Sequence, residues 1–356
     1  MSRDSKALFW VVGFGVLGFG LYALSSVLTP FVAGLAVAYF FDPVADRLEE
    51  AGASRGLAAG LVILTFLGLA TIILVLLFPL LQSQILGLIA RVPDLIDLLR
   101  ERAAPVLELL NEKLSSGQMD NLQGAAKSYA GNVLTWLGGM LKDLWSGGMA
   151  FFNVLSLIVI TPLAAFYLLR DWDKIVARFD HLLPRRSADT FREQFAAIDD
   201  TIAAFVRGQA SVCLVLGTYY AIGLTLAGLD FGLLVGLGTG LLAFIPYVGA
   251  TIGLVTGVGI ALSQVSDWMP VVVVAVIFLA GQTAESYILT PKLVGERVGL
   301  HPIWVIFALL AGGALFGFTG VLLAVPVTAV IGVLVRFGLS RYLASPLYDG
   351  AKADSD

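Results

Sequence analysis

One carboxylate draws attention by its position. Glu285 follows seventeen residues without a charge, Trp268 to Ala284, and precedes another apolar stretch, Ser286 to Leu289. An acidic side chain inside an apolar span costs about 2.5 kcal/mol or more at a helix centre. Glu285 falls nearer the end of its run, where the cost is smaller. Such a group is a candidate for binding a cation or proton, or for hydrogen-bonding a polar solute. The plainer alternative is a solvated helix end, or an ion pair with Lys292 or Arg297. Glu285 and Lys292 share a helical face only if the helix survives Pro291. Gln209 and Gln282 are uncharged polar groups in apolar segments; they either offer donors and acceptors to a hydroxyl-rich solute or bond across helices. Pro246, Tyr247 and Gly249 lie together inside another charge-free run. An unwound backbone there would free carbonyls to line a site, and a packing kink is the alternative. Gly317 and Gly320 interrupt a third long run, after Gly312 and Gly313, whose small size also suits close helix packing.

Other chemistry is excluded. No Gly-x-x-x-x-Gly-Lys-Ser/Thr occurs, so no P-loop hydrolyses ATP. No Gly-x-Ser-x-Gly or His-Glu-x-x-His is present, and the charge-free runs hold no nucleophile with a base, metal set or paired carboxylates. The chain reads as a non-enzyme. The single cysteine, Cys213, rules out an internal disulfide and a cysteine metal site. A net charge of −4 gives no sign of a nucleic-acid partner. No cofactor or metal is expected.

These residues sit in a chain that cannot cover itself with a charged surface. Of 356 residues, 58% are hydrophobic and 13% charged. Lipid must therefore cover much of the outside. A span needs about 20 apolar residues, and residues 7–41, 57–81, 149–169, 208–229, 231–266, 268–284 and 298–335 carry no Asp, Glu, Lys or Arg. Strands of a barrel would be short and alternating, so these runs are helical. The fold class is all-α: a polytopic bundle of about six to eight membrane segments. Pro30 divides the first run, with a new helix expected to begin there. Residues 231–266 and 298–335 are each too long for one plain span. Pro246–Gly249 and Gly317–Gly320 make them broken, re-entrant hairpins or two very long helices.

The expected organisation is three N-terminal spans in residues 1–81, then an extracytoplasmic amphipathic region, 82–147. A span with a cytoplasmic amphipathic connection follows in 148–207, then a transport core with broken helices in 208–344 and a polar tail, 345–356. In the second region Leu95, Ile96, Leu98 and Leu99 recur at helical spacing among charges. Orientation follows from basic residues in short loops. Arg3, Lys6, Arg47, Arg55, the seven Lys/Arg from Arg170 to Arg207, Arg336 and Arg341 all fall on one side if 82–147 is outside. Both termini are then cytoplasmic in an inner membrane. Asp171 and Arg207 flank the connection as a candidate structural ion pair.

From Thr161 onward the sequence resembles the autoinducer-2 exporter family of bacterial membrane transporters. The resemblance is carried by Thr161-Pro162-Leu163-Ala164-Ala165-Phe166-Tyr167 running to Arg170-Asp171, by Arg207-Gly208-Gln209, and by Ile245-Pro246-Tyr247-Val248-Gly249. Glu285, Leu289-Thr290-Pro291-Lys292, Val298-Gly299-Leu300-His301-Pro302 and Gly317-x-x-Gly320 running to Ala324-Val325-Pro326 complete it. The resemblance implies a homo-oligomeric transporter working without ATP, on autoinducer-2 or by sodium/proton antiport. It adds Thr290, Pro291 and Pro326 to the pathway candidates. The partners expected are a small polar solute or a cation and proton, the lipid bilayer, and further copies of the chain.

Overall fold

The computed structural model describes residues 24–113, 149–185, 187–264, 268–294 and 301–345, with a few isolated positions nearer the two ends. Among these residues every regular element is helical. They are α1 (Ser25–Glu50), α2 (Arg55–Lys113), α3 (Met149–Leu182), α4 (Ala188–Leu226), α5 (Gly232–Leu242), α6 (Val248–Gln264), α7 (Met269–Ala284) and α8 (Pro302–Leu343). A π-helical segment, Glu285–Val294, continues α7 directly. Five stretches are long and apolar enough to cross a bilayer: Val27–Glu50, Arg55–Leu88, Ala188–Leu226, Met269–Val294 and Pro302–Leu343. The chain is a multi-pass helical membrane protein.

One expected helix start meets a different structure. α1 begins at Ser25, ahead of Pro30, and carries both Pro30 and Pro43 inside it. Pro30 still falls within the second turn, where little of the hydrogen-bond ladder lies upstream to be broken. α2 runs without interruption to Lys113, so one helix continues from the apolar span past residue 82 into the amphipathic stretch. Apolar character ends there but helical periodicity does not. Residues 114–148, Asp267, Arg297 and most of the tail lie outside the described residues.

The chain forms two compact units. The first holds Met1–Gly68, Ile160–Cys213 and Ala284–Asp356. Its core is built from small side chains: Ala38 and Ala45 of α1, Ala58, Ala59, Val62 and Ile63 of α2, Ala165 and Leu169 of α3. Without a hydrophobic driving force in lipid, helices associate by close backbone approach, which small residues permit. Gly34 shows the limit, since a Cβ there would stand 2.9 Å from the Thr161 carbonyl oxygen. Thr161 also donates to the Pro30 carbonyl at 3.2 Å, tying α3 to α1. Arg55, the first residue of α2, closes this bundle. Its Nε donates to the Leu169 carbonyl at 2.9 Å, and its terminal nitrogens reach Asp42, Asp46 and Glu49. Those three acids are spaced four and three apart, on one face of α1.

The second unit holds Leu69–Val159 and Leu214–Thr283. Here α5 and α6 pack against each other as a helical hairpin. Gly249 would place a Cβ 2.4 Å from the Ala243 nitrogen, and Gly253 would meet the Thr239 hydroxyl at 2.1 Å. One turn further, Gly257 faces Phe278 and Val274 of α7. This column of glycines at four-residue spacing lets α6 nest against α5 on one side and α7 on the other. Tyr220 of α4 is fully buried, with its ring stacked on Phe278 at 4.7 Å.

Candidate transport site

Both over-long apolar runs are broken where proline and glycine fall. In 231–266, α5 is 11 residues and α6 17 residues, joined by a turn through Pro246. At about 1.5 Å per residue they reach about 16 and 26 Å, short of a hydrocarbon core of about 30 Å. In α8 the backbone leaves helical geometry at Gly317, with φ 58° and ψ −139°. The segments on either side fold back on each other: a Cβ on Gly312 would lie 2.5 Å from the Gly320 carbonyl oxygen. The stretch 302–316 then reaches only about 22 Å. Each unit thus contains one helical hairpin made from a charge-free run. Gly312 serves packing within the second, while Gly317 makes its turn with a left-handed backbone that suits glycine.

The mouth of the first hairpin is anchored by polar side chains of its own unit. Gln264 donates to the Gly228 carbonyl at 2.9 Å and accepts from the Asp230 N–H at 3.1 Å. Gln84 of α2 accepts from the Leu234 N–H at 3.0 Å, capping the start of α5. Arg91 pairs with Asp230. In the first unit, the Thr29 and Thr319 hydroxyls share a hydrogen bond of 2.6 Å beside the α8 turn, and Thr319 is buried.

Glu285 is half-buried and is the first residue of the π-helical segment. Pro291 does not end the helix as its type suggests. It lacks the N–H for the bond to Tyr287, and the wider π pattern carries the chain past it to Val294. The Arg207-Gly208-Gln209 motif packs along this segment. A Cβ on Gly208 would lie 2.4 Å from the Leu293 carbonyl oxygen. Gln209 beside it is buried, and Cys213, one turn on, lies within electrostatic reach of the Glu285 carboxylate. Residues 208–213 of α4 therefore run antiparallel to the segment that opens on Glu285. Thr290 and Pro291 are exposed on that segment, and Pro326 is half-buried inside α8. Gln282, Pro246, Tyr247 and Gly249 belong to the other unit.

Asp171 and Arg207 are not partners. Asp171 accepts from Arg170 at 2.5 Å and from Lys174 at 2.9 Å, neighbours along its own helix. Arg207 instead turns its Nε to the Tyr39 carbonyl at 3.1 Å. There it lines a cavity that the sequence did not disclose, of about 30 Å³, shared with Tyr39, Asp42, Trp172 and Asp199. The Tyr39 hydroxyl donates to Asp199 at 2.7 Å, and its ring meets Trp172 edge-on at 5.9 Å. Asp42 is held at 2.8 Å by Arg55. The signal available in the sequence was the spacing of Tyr39 and Asp42, three apart on one face of α1. A cavity of this size has room for one or two waters or a small ion.

Charge-poor helices with hairpins folded back inside apolar runs are features that membrane transporters share. The chain belongs to the AI-2E transporter family, whose sequence model, "AI-2E family transporter", matches residues 8–340. Similar proteins include "Putative transport protein sll0063" of Synechocystis, 31% identical over 93% of this chain and 84% of its own length. "Putative transport protein YueF" of Bacillus subtilis is 29% identical over 86% of this chain and 83% of its own. "Putative permease PerM" of Escherichia coli is 26% identical over 92% and 90%. The family is one of transport proteins and permeases, not enzymes.

Proposed function

We propose that the chain is a secondary transporter that exports a small polar molecule such as autoinducer-2 without ATP. In this reading it works as a homo-oligomer in the bacterial inner membrane, with both termini in the cytoplasm. The observation that carries it is the pair of helical hairpins turning at Pro246 and Gly317. Non-helical backbone at membrane depth is tolerated only where protein or a water-filled cavity covers it. Such breaks expose carbonyls and amides that can replace the hydration of a passing solute. Glu285, Gln209 and Gln282 are polar side chains suited to the same work.

A second reading, cation/proton antiport, is favoured by the small cavity at Tyr39. Asp42, Asp199, Tyr39 and Arg207 line it, with Asp42 itself paired to Arg55, so carboxylate and phenol groups border a space whose size suits a monovalent cation or a proton carried by water. The two readings separate in one experiment. Proteoliposomes containing the purified chain are loaded with labelled autoinducer-2, while sodium and proton fluxes are followed in parallel. Autoinducer-2 efflux above that of empty liposomes supports the first reading. Sodium-driven proton movement with no autoinducer-2 efflux replaces it with the second.

A further inference from the structure

We propose that Tyr247 contacts the transported solute, and that the α5–α6 turn holds its ring out for that contact at a cost to the fold. The inference rests on the reading of the chain as a carrier of a small polar molecule. Among the described residues two side chains other than glycine sit on a left-handed backbone, Phe231 at φ 60° and Tyr247 at φ 68°. In that conformation Cβ crowds the following carbonyl, so a bulky residue there is strained.

Phe231 has a structural reason for its strain. Its ring seats against Gly87, where a Cβ would stand 3.0 Å from it, and Arg91 lies over its face at 5.6 Å. Tyr247 has no such reason. The residue is 57% exposed, and among the described residues its ring makes no aromatic or cation-π contact and its hydroxyl no hydrogen bond. Only its backbone is tied, through the carbonyl that accepts from the Thr251 hydroxyl at 2.6 Å. Its neighbours leave that backbone little choice. Pro246 fixes its own φ, and Gly249 is pressed against Ala243. Glycine or asparagine would adopt the same turn with less strain. The phenol thus makes no hydrogen bond or aromatic contact that the fold relies on, and strain that packing does not explain concentrates where function needs it. A phenol offers one donor, acceptor lone pairs and an apolar face. That combination suits a small solute bearing both hydroxyl groups and carbon surface.

Four variants test this in proteoliposomes, each with its melting temperature and its rate of labelled autoinducer-2 efflux. Tyr247→Gly and Tyr247→Asn should melt about 2–4 °C higher than wild type and transport about tenfold more slowly. Tyr247→Phe should melt with wild type and transport several-fold more slowly, because only the hydroxyl is gone. Tyr247→Trp, which keeps an amphipathic ring fit for a membrane interface, should not restore the rate. A lower melting temperature for Tyr247→Gly would show that the ring supports the fold and would overturn the proposal. Wild-type transport by the Gly, Phe or Trp variant would overturn it equally, while leaving the transport reading intact. A wild-type protein that moves no autoinducer-2 removes both.

Discussion

The backbones of Gly312 and Gly320 lie against each other across the turn at Gly317: a Cβ built on Gly320 falls 2.0 Å from the Gly312 carbonyl oxygen. In a straight helix these residues would be about 12 Å apart along the axis. The contact makes a hairpin of what the apolar pattern alone allows to be one long span.

It follows that neither glycine tolerates a side chain. Gly320→Ala should destabilise the protein by about 1–3 kcal/mol, the usual cost of forcing atoms into a packed interface. Gly238→Ala is the control, because nothing lies within 4 Å of a Cβ there. Glycine weakens a helix interior, so that change should be neutral or stabilising by about 0.5–1 kcal/mol. Denaturation of the two variants in the same detergent is the measurement; equal stability would contradict the hairpin.

Much of this was legible in the sequence. Proline and glycine stand out inside runs with no charge, so the two breaks could be placed at Pro246 and Gly317. Glu285 was legible for the same reason, as one acid after seventeen apolar or uncharged residues. What stayed hidden depends on long-range packing. Arg207 finds the carbonyl of Tyr39, 168 positions away, and Asp171 is satisfied by Arg170 and Lys174 on its own helix. No local pattern ranks those partners. The π-helical run past Pro291 was hidden too, because proline reads as a stop unless a neighbour such as Gly208 lets the widened turn pack.

Glu285→Gln keeps the shape of the side chain and removes its charge. Transport should fall about tenfold, roughly 1.4 kcal/mol in the barrier, at normal folded yield. Complete loss of ion exchange would assign the carboxylate to a cation or proton, and partial retention of solute efflux to hydrogen bonding. If Glu285→Gln and Glu285→Ala both transport normally, the residue has no place in the pathway.

Topology distinguishes hairpins from plain spans. With both hairpins re-entrant, the Trp268 loop faces outside and the loop before His301, carrying Lys292 and Arg297, faces the cytoplasm. Single cysteines at Trp268 and His301, in a Cys213→Ser background, can be labelled by a membrane-impermeant reagent in intact cells. Labelling is expected at position 268 and absent at 301. The reverse pattern would return both runs to plain spans.

The α3–α4 connection should respond to acid in one direction. A hydrogen bond from Arg170, with a second from Lys174, holds the Asp171 carboxyl down at about 2, and Arg192 lowers Asp180 in the same way. A carboxylate depressed in the folded state stabilises it above its unfolded value of about 3.9, and that contribution is lost as pH falls through the folded value. Wild type should therefore melt above an Asp171→Asn/Asp180→Asn variant from about pH 7 to pH 5, with the gap closing between about pH 4 and pH 2. A gap that widens on acidification would contradict the pairing.

The central claim, transport by the membrane bundle alone, is tested most directly by flux without nucleotide. Purified protein in liposomes free of ATP is given an outward gradient of labelled autoinducer-2, with sodium and proton gradients imposed in turn. Because 356 residues contain no P-loop, the account expects labelled solute, or sodium in exchange for protons, to move down the imposed gradient faster than from protein-free liposomes. Movement of either only when ATP is added would contradict it.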